Sequence, residues 1–131
     1  MLYFACVDLK RAQSSLKAAQ RCLEEQLFDS AVSRAYFAMF QAAICALETR
    51  GIKRSEWTHK GVHSDFVQHF VRGRKVIAAS FASALPTTME IRHIADYRQP
   101  GPSQRQAERA VKLAREFSEL LMKEVINASN P

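Results

Sequence analysis

The chain has 131 residues, 47% of them hydrophobic and 24% charged, so it is long enough to form one domain with a buried core. Four glycines and four prolines are too few for an all-β chain with many tight turns. The net charge of +6 is compatible with a polyanionic partner or an acidic protein partner.

Compartment signals come from the cysteines and from the start of the chain. Cys6, Cys22 and Cys45 are an odd number and lie in apolar stretches, which is typical of buried thiols in a reducing compartment. The first ten residues lack the positive segment of a signal peptide and include Asp8. The longest apolar run, 35–47, contains Gln41 and is too short to span a bilayer. We therefore expect a cytoplasmic protein with no membrane contact.

Helical periodicity predicts two long helices in the first part of the chain. In the first, Cys6–Gln26, leucine and alanine recur every three or four residues and form one apolar stripe. After a short break, Asp29 is the predicted N-cap of the second helix, Ser30–Arg50. Gly51 follows as the residue that ends it.

The second helix carries apolar residues on two faces. Its main core stripe is Phe28, Val32, Ala35, Met39, Ala43 and Ala46. The opposite stripe is polar at several positions but includes Phe37 and Ile44. A purely solvated face would not place these two there. We expect this face to be covered by a fifth element or by a second subunit, and a homodimer follows from the latter reading.

The rest of the chain predicts further helices with short connections. Thr58 caps a third helix over 59–72, and a turn occupies 72–75. A helix over 76–85 is expected to kink or break at Pro86. A capping box of Thr87 and Glu90 would restart it as far as residue 97, and the last helix spans 103–127 after a Pro-Gly-Pro stop. The predicted fold is a single all-α domain over 1–131, an antiparallel bundle of four main helices plus a short fifth helix.

Three polar signatures on three helices carry a resemblance to a known family. They are Ser33-Arg34-Ala35-Tyr36-Phe37-Ala38-Met39-Phe40-Gln41, Thr58-His59-Lys60-Gly61 and Arg92-His93-Ile94-Ala95-Asp96-Tyr97. In this order they resemble the HEPN domain (higher eukaryotes and prokaryotes nucleotide-binding), over roughly residues 8 to 125. The resemblance implies a helical bundle, a homodimer, an RNA or nucleotide ligand, and often a minimal nucleotidyltransferase partner.

Ribonuclease members of that family carry an Arg, four to six residues and then a His, and they cleave RNA without a metal. The resemblance implies that the His moves protons and the Arg stabilises phosphorane charge. Arg92 matches the Arg, but Tyr97 stands at the His position, as in a branch with an Arg-x-x-Ala-Asp-Tyr run. Tyrosine has a reference pKa near 10 and is a poor proton shuttle at neutral pH. Weak or absent ribonuclease activity is therefore expected.

The candidate catalytic residues are Arg92, His93 and Tyr97, and the candidate ligand-binding residues are Arg34, Tyr36, His59, Lys60 and Asp96. Arg34 and Tyr36 would face Arg92 and Tyr97 across a groove that holds a phosphate. Adjacent to Arg92, His93 is expected to point about 100° away and not to share its phosphate. Structural readings stay open beside these: an Arg92–Asp96 pair one helical turn apart, and Tyr36 and His59 as hydrogen-bonded core residues.

Three other patterns in the sequence give weaker evidence of a functional site. His59 and His63 have a spacing that can hold a metal, but no third ligand completes a set, so no metal and no cofactor are predicted. Arg54 and His59 match the family spacing across a connector, which is a chance match. The run Arg50, Lys53, Arg54, Trp57, His59 and Lys60 fits phosphate contacts with base stacking, or simply a solvated connector.

Three functions remain open from the sequence. The leading one is a HEPN-type component of a prokaryotic two-gene, toxin–antitoxin-like module that binds RNA or nucleotide, with a nucleotidyltransferase partner. The second is a non-catalytic helical module that binds protein or nucleotide. The third is an active metal-independent ribonuclease with a rearranged site.

Overall fold

The computed structural model describes residues 2–73, 79–98 and 100–129, with side chains between 9 and 125 in those ranges. Within them every regular element is helical, as the sequence predicts. The helices are α1 (Leu2–Glu24), α2 (Phe28–Thr49), α3 (His59–Phe66), α4 (Ala84–Tyr97) and α5 (Gln104–Ser129). A π-helical segment, Val67–Gly73, continues α3, and a 3₁₀ turn, Ala79–Phe81, precedes α4.

The sequence predicted the C-terminal end of α2 correctly, but it did not predict the N-cap. Asp29 is not the N-cap: Leu27 holds that place without a side-chain bond, and Asp29 lies in the first turn, where its charge suits the positive helix end. Gly51 does end the helix, with φ of +84°. The Ile52 N–H reaches the Leu47 carbonyl at 3.0 Å, which closes a Schellman motif.

The start of α3 is as predicted. The Thr58 hydroxyl accepts the Gly61 N–H at 2.9 Å and caps the helix. A Cβ on Gly61 would lie 2.9 Å from that same hydroxyl oxygen, so the glycine permits the tight cap. The predicted helix end and turn are less accurate, since Arg72 and Gly73 belong to the π-helical segment and 74–75 lie outside the described residues.

The helix α4 begins earlier than predicted and continues through Pro86 without a break. Ser83 is the N-cap, so Pro86 is the third helical residue, where its missing N–H would have had no partner within the helix. The capping box at Thr87 is also wrong, because the Thr87 N–H bonds the Ser83 carbonyl at 2.9 Å inside the helix. Of the helix predicted over 76–85, residues 76–78 lie outside the described residues.

The last helix begins with a capping box that was not predicted from the sequence. The Ser103 hydroxyl accepts the Gln106 N–H at 3.1 Å, and the Gln106 side chain accepts the Ser103 N–H at 2.9 Å. One face of α5 is buried throughout: Ala107, Ala110, Val111, Ala114, Ser118, Leu121 and Val125. The start and the buried face of α5 are therefore fixed by its own sequence.

The helix α2 is central and is covered on several sides by α1, α3, α4 and α5. Arg92 lies over Phe37, the Ser15 hydroxyl bonds the Gln41 side chain at 2.9 Å, and Ile44 packs on the core. Other helices of the same chain thus cover part of the second face, and Phe37 and Ile44, which suggested a second subunit, are half-buried. By length and composition α2 could cross a membrane, but 61% of its most apolar stretch is buried, as in the core helix of a soluble domain.

Candidate functional site

A cavity of about 140 Å³ lies between the start of α3 and the exposed side of α4. Its described lining is His59, Met89, Arg92, His93, Asp96 and Tyr97. Drug-sized ligands need pockets of roughly 300–1,000 Å³, so this cavity suits a smaller group such as one phosphate. All three candidate catalytic residues line it, together with two of the candidate ligand-binding residues.

Arg92 is held mainly by aromatic rings. Its guanidinium carbon lies 4.6 Å from the Phe37 ring centre and 5.5 Å from that of Tyr36, both within cation–π range. Asp96 is the ion-pair partner one turn later, with its carboxylate 3.3 Å from Arg92 Nε. The angle of that contact does not make it a hydrogen bond, and Nε has no hydrogen-bond partner among the described residues. The ring contacts thus fix the charge while the N–H donors stay uncommitted.

Tyr36 connects the core to the cavity through two histidines. Its hydroxyl is 2.8 Å from His59 Nδ1 and 2.8 Å from His63 Nε2. The His59 ring also stacks at 4.9 Å on Phe40. A phenol carries one proton, so Tyr36 donates to one histidine and accepts an N–H from the other. The two imidazoles therefore have linked tautomers.

The titration behaviour of this trio follows from burial and from Arg92. Burial raises the pKa of Tyr36 to about 12, although the Arg92 charge opposes part of the rise, so the phenol stays neutral. Partial burial and then the Arg92 charge lower the pKa of His59. Burial and then His59 lower the pKa of His63. Both imidazoles consequently favour the neutral form at pH 7.

His93 and Tyr97 form the outer wall of the cavity on α4. Their ring centres are 5.2 Å apart, and Tyr97 is 77% exposed. His93 was expected to point away from Arg92, yet both line the same cavity. The exposed phenol of Tyr97 stands at the position where the family motif places its imidazole.

Comparison with known proteins places this arrangement in a family. The family model for the HEPN domain matches residues 8–125. The chain belongs to the HEPN domain family. "Putative toxin MJ0605" of Methanocaldococcus jannaschii is 30% identical over 112 residues, which cover 86% of this chain and 81% of that protein.

Two other relatives match over shorter segments. "UPF0332 protein glr0978" of Gloeobacter violaceus is 43% identical over 61 residues, 47% of this chain and 47% of that protein. "Putative toxin MJ0142" of Methanocaldococcus jannaschii is 28% identical over 89 residues, 68% of this chain and 58% of that protein. The chain's match thus spans about half of glr0978 and less than two thirds of MJ0142.

The other predicted ligand residues of this HEPN domain differ in whether they lie at the cavity. Asp96 lies beside the cavity and also contacts the Ser33 hydroxyl at 3.4 Å. Arg34 and Lys60 are exposed and are not among the described residues that line the cavity. Arg34 therefore stays a prediction as a ligand residue, whereas the Tyr36 ring does contact Arg92.

Several side chains of the basic run between Arg50 and Lys60 bond to acidic side chains of the same HEPN domain. Arg50 pairs with Glu124, and Arg54 makes two bonds to the Asp65 carboxylate at 3.0 and 3.1 Å. The Trp57 indole N–H donates to Glu48 at 3.2 Å. These residues brace the domain, which leaves less of the run for phosphate contacts or base stacking. Arg54 is occupied by Asp65 and does not line the cavity with His59.

Sequence reasoning missed two features of the site. Phe37 was read only as an apolar residue on a polar face, but it is the closer of the two rings under Arg92. His63 was considered only as a metal ligand, and its actual partner is Tyr36. Its spacing of one helical turn from His59 was the available signal, since such a pair can share one hydroxyl as readily as a metal. Among the described residues no group of three or more His, Cys, Asp or Glu could hold a metal ion.

Proposed function

We propose that this HEPN protein is the toxin-like component of a prokaryotic two-gene module and binds RNA or a nucleotide at the Arg92 cavity. Its ribonuclease activity is weak or absent. Its partner is a minimal nucleotidyltransferase, its location is cytoplasmic, and it assembles as a homodimer. The names of two relatives as toxins support the first part, and the net charge of +6 supports an anionic ligand. The homodimer rests mainly on the family resemblance, because other helices of the same chain already cover part of the Phe37 and Ile44 side chains.

The observation that best supports the binding proposal is how the Arg92 guanidinium is held at the cavity. Its charge is fixed by two aromatic faces at 4.6 and 5.5 Å, and it is not neutralised by a fully bonded carboxylate. A planar guanidinium with unused N–H donors at a cavity wall is suited to phosphate oxygens. The cavity has room for a group of about the size of one phosphate, with the rest of the nucleotide outside.

Weak cleavage follows from the residue at position 97. General acid–base catalysis contributes about 10²–10⁴-fold in rate when the group's pKa lies near the working pH. A phenol does not meet that condition at pH 7. Tyr97 can still donate a hydrogen bond, so it serves ligand binding better than proton transfer.

The direct test is RNA binding by wild type and Arg92→Ala, with Arg115→Ala as the control. Arg115 is exposed on α5 and is not a described lining residue, so the control removes the same charge elsewhere. A hydrogen bond to a charged group contributes about 1.5–3 kcal/mol, so Arg92→Ala should weaken binding about 10- to 100-fold. Arg115→Ala should stay within about threefold of wild type, since it changes only the long-range field.

Salt dependence supplies the second measurement. Binding should weaken steeply as salt rises, because phosphate contacts release counterions. Equal binding by Arg92→Ala and Arg115→Ala would contradict the assigned site. No binding even at low salt would remove nucleic acid as the ligand and leave the non-catalytic protein-interaction module. An adjacent gene for a small nucleotidyltransferase would support the two-gene module.

A second candidate is an active metal-independent ribonuclease with a rearranged site. The observation in its favour is that Arg92, His93 and Tyr97 line one cavity. Robust cleavage in EDTA that is lost in His93→Ala and kept in Tyr97→Phe would establish it, with His93 as the catalytic imidazole.

A further inference from the structure

We propose that His59 on α3 is the general base of a slow RNA cleavage at this cavity, in place of the imidazole that the ribonuclease motif puts on α4. The proposal rests on the RNA binding proposed above. It commits the site to weak but measurable cleavage, and it assigns that cleavage to a different helix from the family motif.

The first observation in support is that His59 has one ring nitrogen available to a ligand. The residue lines the cavity together with Arg92. Its Nδ1 is engaged by the Tyr36 hydroxyl at 2.8 Å. The Phe40 and Tyr36 rings, at 4.9 and 5.4 Å, hold the imidazole plane. Nε2, on the other side of the ring, has no hydrogen bond to any residue that the structure describes, so it is the nitrogen available to a ligand.

The second support is that the tautomers of the two histidines are linked through Tyr36. In one of the two linked arrangements, His59 Nδ1–H donates to the Tyr36 oxygen and the Tyr36 hydroxyl proton goes to His63 Nε2. His59 Nε2 then carries a lone pair and can accept a proton. Tyr36 and His63 are thus positioning residues, comparable to the group that orients the imidazole in other acid–base sites.

The third support is the charge around the imidazole. The groups that face it are Tyr36 from α2, His63 from α3, and Arg92, His93, Asp96 and Tyr97 from α4. Burial, and then the Arg92 charge, hold the pKa of His59 below its usual value. Neutral His59 therefore predominates at pH 7, which is the form that a base requires.

The proposed step is an internal transesterification of RNA. The 2′-hydroxyl proton passes to His59 Nε2, the O2′–phosphorus bond forms, and the phosphorus–O5′ bond breaks. Arg92 stabilises the charge on the phosphate oxygens. The departing O5′ takes a proton from solvent water, and the hydroxide left behind takes the proton from His59. The products are a 2′,3′-cyclic phosphate end and a 5′-hydroxyl end.

The test compares wild type, His59→Gln and His69→Gln on end-labelled RNA in EDTA. His69 is another histidine of the same helical segment and is not among the described lining residues, so it is the matched control. His59→Gln should lose about 100-fold or more in cleavage rate while RNA affinity changes little, and added imidazole should restore part of the rate. His69→Gln should behave as wild type.

Tyr36→Phe tests the positioning role. It should lower kcat with little change in KM and should move the acidic limb of the pH–rate profile, which a purely structural defect would not do. Thermal unfolding of each variant, compared with wild type, shows whether a lost rate has a folding origin.

Three results would overturn the assignment of His59. They are wild type that binds RNA without cleaving it, His59→Gln that cleaves at the wild-type rate, and cleavage of RNA that carries a 2′-deoxy sugar at the cleaved position. Absence of RNA binding is a different result, since it defeats the proposed function itself. The binding and cleavage assays therefore separate the two failures.

Discussion

Ser118 offers a direct measurement of what an unpaired buried hydroxyl costs this bundle. The side chain lies on the buried face of α5 with no exposed surface, and its Oγ has no hydrogen-bond partner among the described residues. Burying a hydroxyl without a partner is unfavourable, because the bonds it makes to water in the unfolded chain are lost. Ser118→Ala should therefore stabilise the protein.

The size of the gain follows from three terms. Relief of an unsatisfied buried group is worth about 1–3 kcal/mol. Alanine adds about 0.5 kcal/mol of helix propensity, and a void of one oxygen atom costs about 0.3 kcal/mol. We expect the free energy of unfolding to rise by about 1–3 kcal/mol. An unfolding entropy of about 2.1 cal/mol/K per residue over 131 residues converts this to about 4–11 °C in Tm.

Ser15 is the matched control, since it is also a buried serine in a helix. Its hydroxyl does have a partner, the Gln41 side chain at 2.9 Å. Ser15→Ala gains the same helix propensity but loses a bond worth about 1 kcal/mol and leaves the amide short of a partner. We expect it to destabilise by about 0.5–1 kcal/mol. Urea unfolding of both variants would measure the difference, and equal shifts, or a loss of stability in Ser118→Ala, would refute the reasoning.

Three further predictions concern assembly, catalysis and pH. Sedimentation at tens of micromolar should show a species of twice the 14.8 kDa chain mass, and a monomer alone would contradict the homodimer. Tyr97→His restores the family spacing and should raise RNA cleavage by about 10²-fold; an unchanged rate would mean that the missing imidazole is not limiting. Stability should be full above pH 6.5 and fall as the pH drops below it, because burial lowers the pKa of His59 and His63 and the unfolded chain then takes up protons first. Urea unfolding at pH 7 and pH 5 checks this, and a His59→Gln/His63→Gln variant should show a flatter profile.

The sequence predicted the parts of the fold that depend on one helix at a time. The stripe of α5, the glycine at the end of α2 and the Thr58 cap are set by local periodicity and local hydrogen bonds. Errors came where two local signals competed. Pro86 was taken as a break and Thr87 as a cap, but a proline in a first turn costs no helical bond, and the helix simply begins earlier.

The candidate site residues could be named one by one from the sequence, but their arrangement could not. In the structure Tyr36, His59, Arg92 and Asp96 lie close together. The contact of the Arg92 guanidinium with the Phe37 ring and the role of His63 depend on distances between helices. The periodicity of residues within one helix gives no information on those distances.

The helix α2 is surrounded at close range because six of its buried residues are alanines: Ala31, Ala35, Ala38, Ala42, Ala43 and Ala46. Small side chains let neighbouring backbones approach, and a methylene added there would push a helix outward. The same close approach lets Arg92 reach the rings of Tyr36 and Phe37. A larger side chain at these alanines can therefore act at a distance, since a substitution that the core tolerates can still displace Arg92 from the two rings.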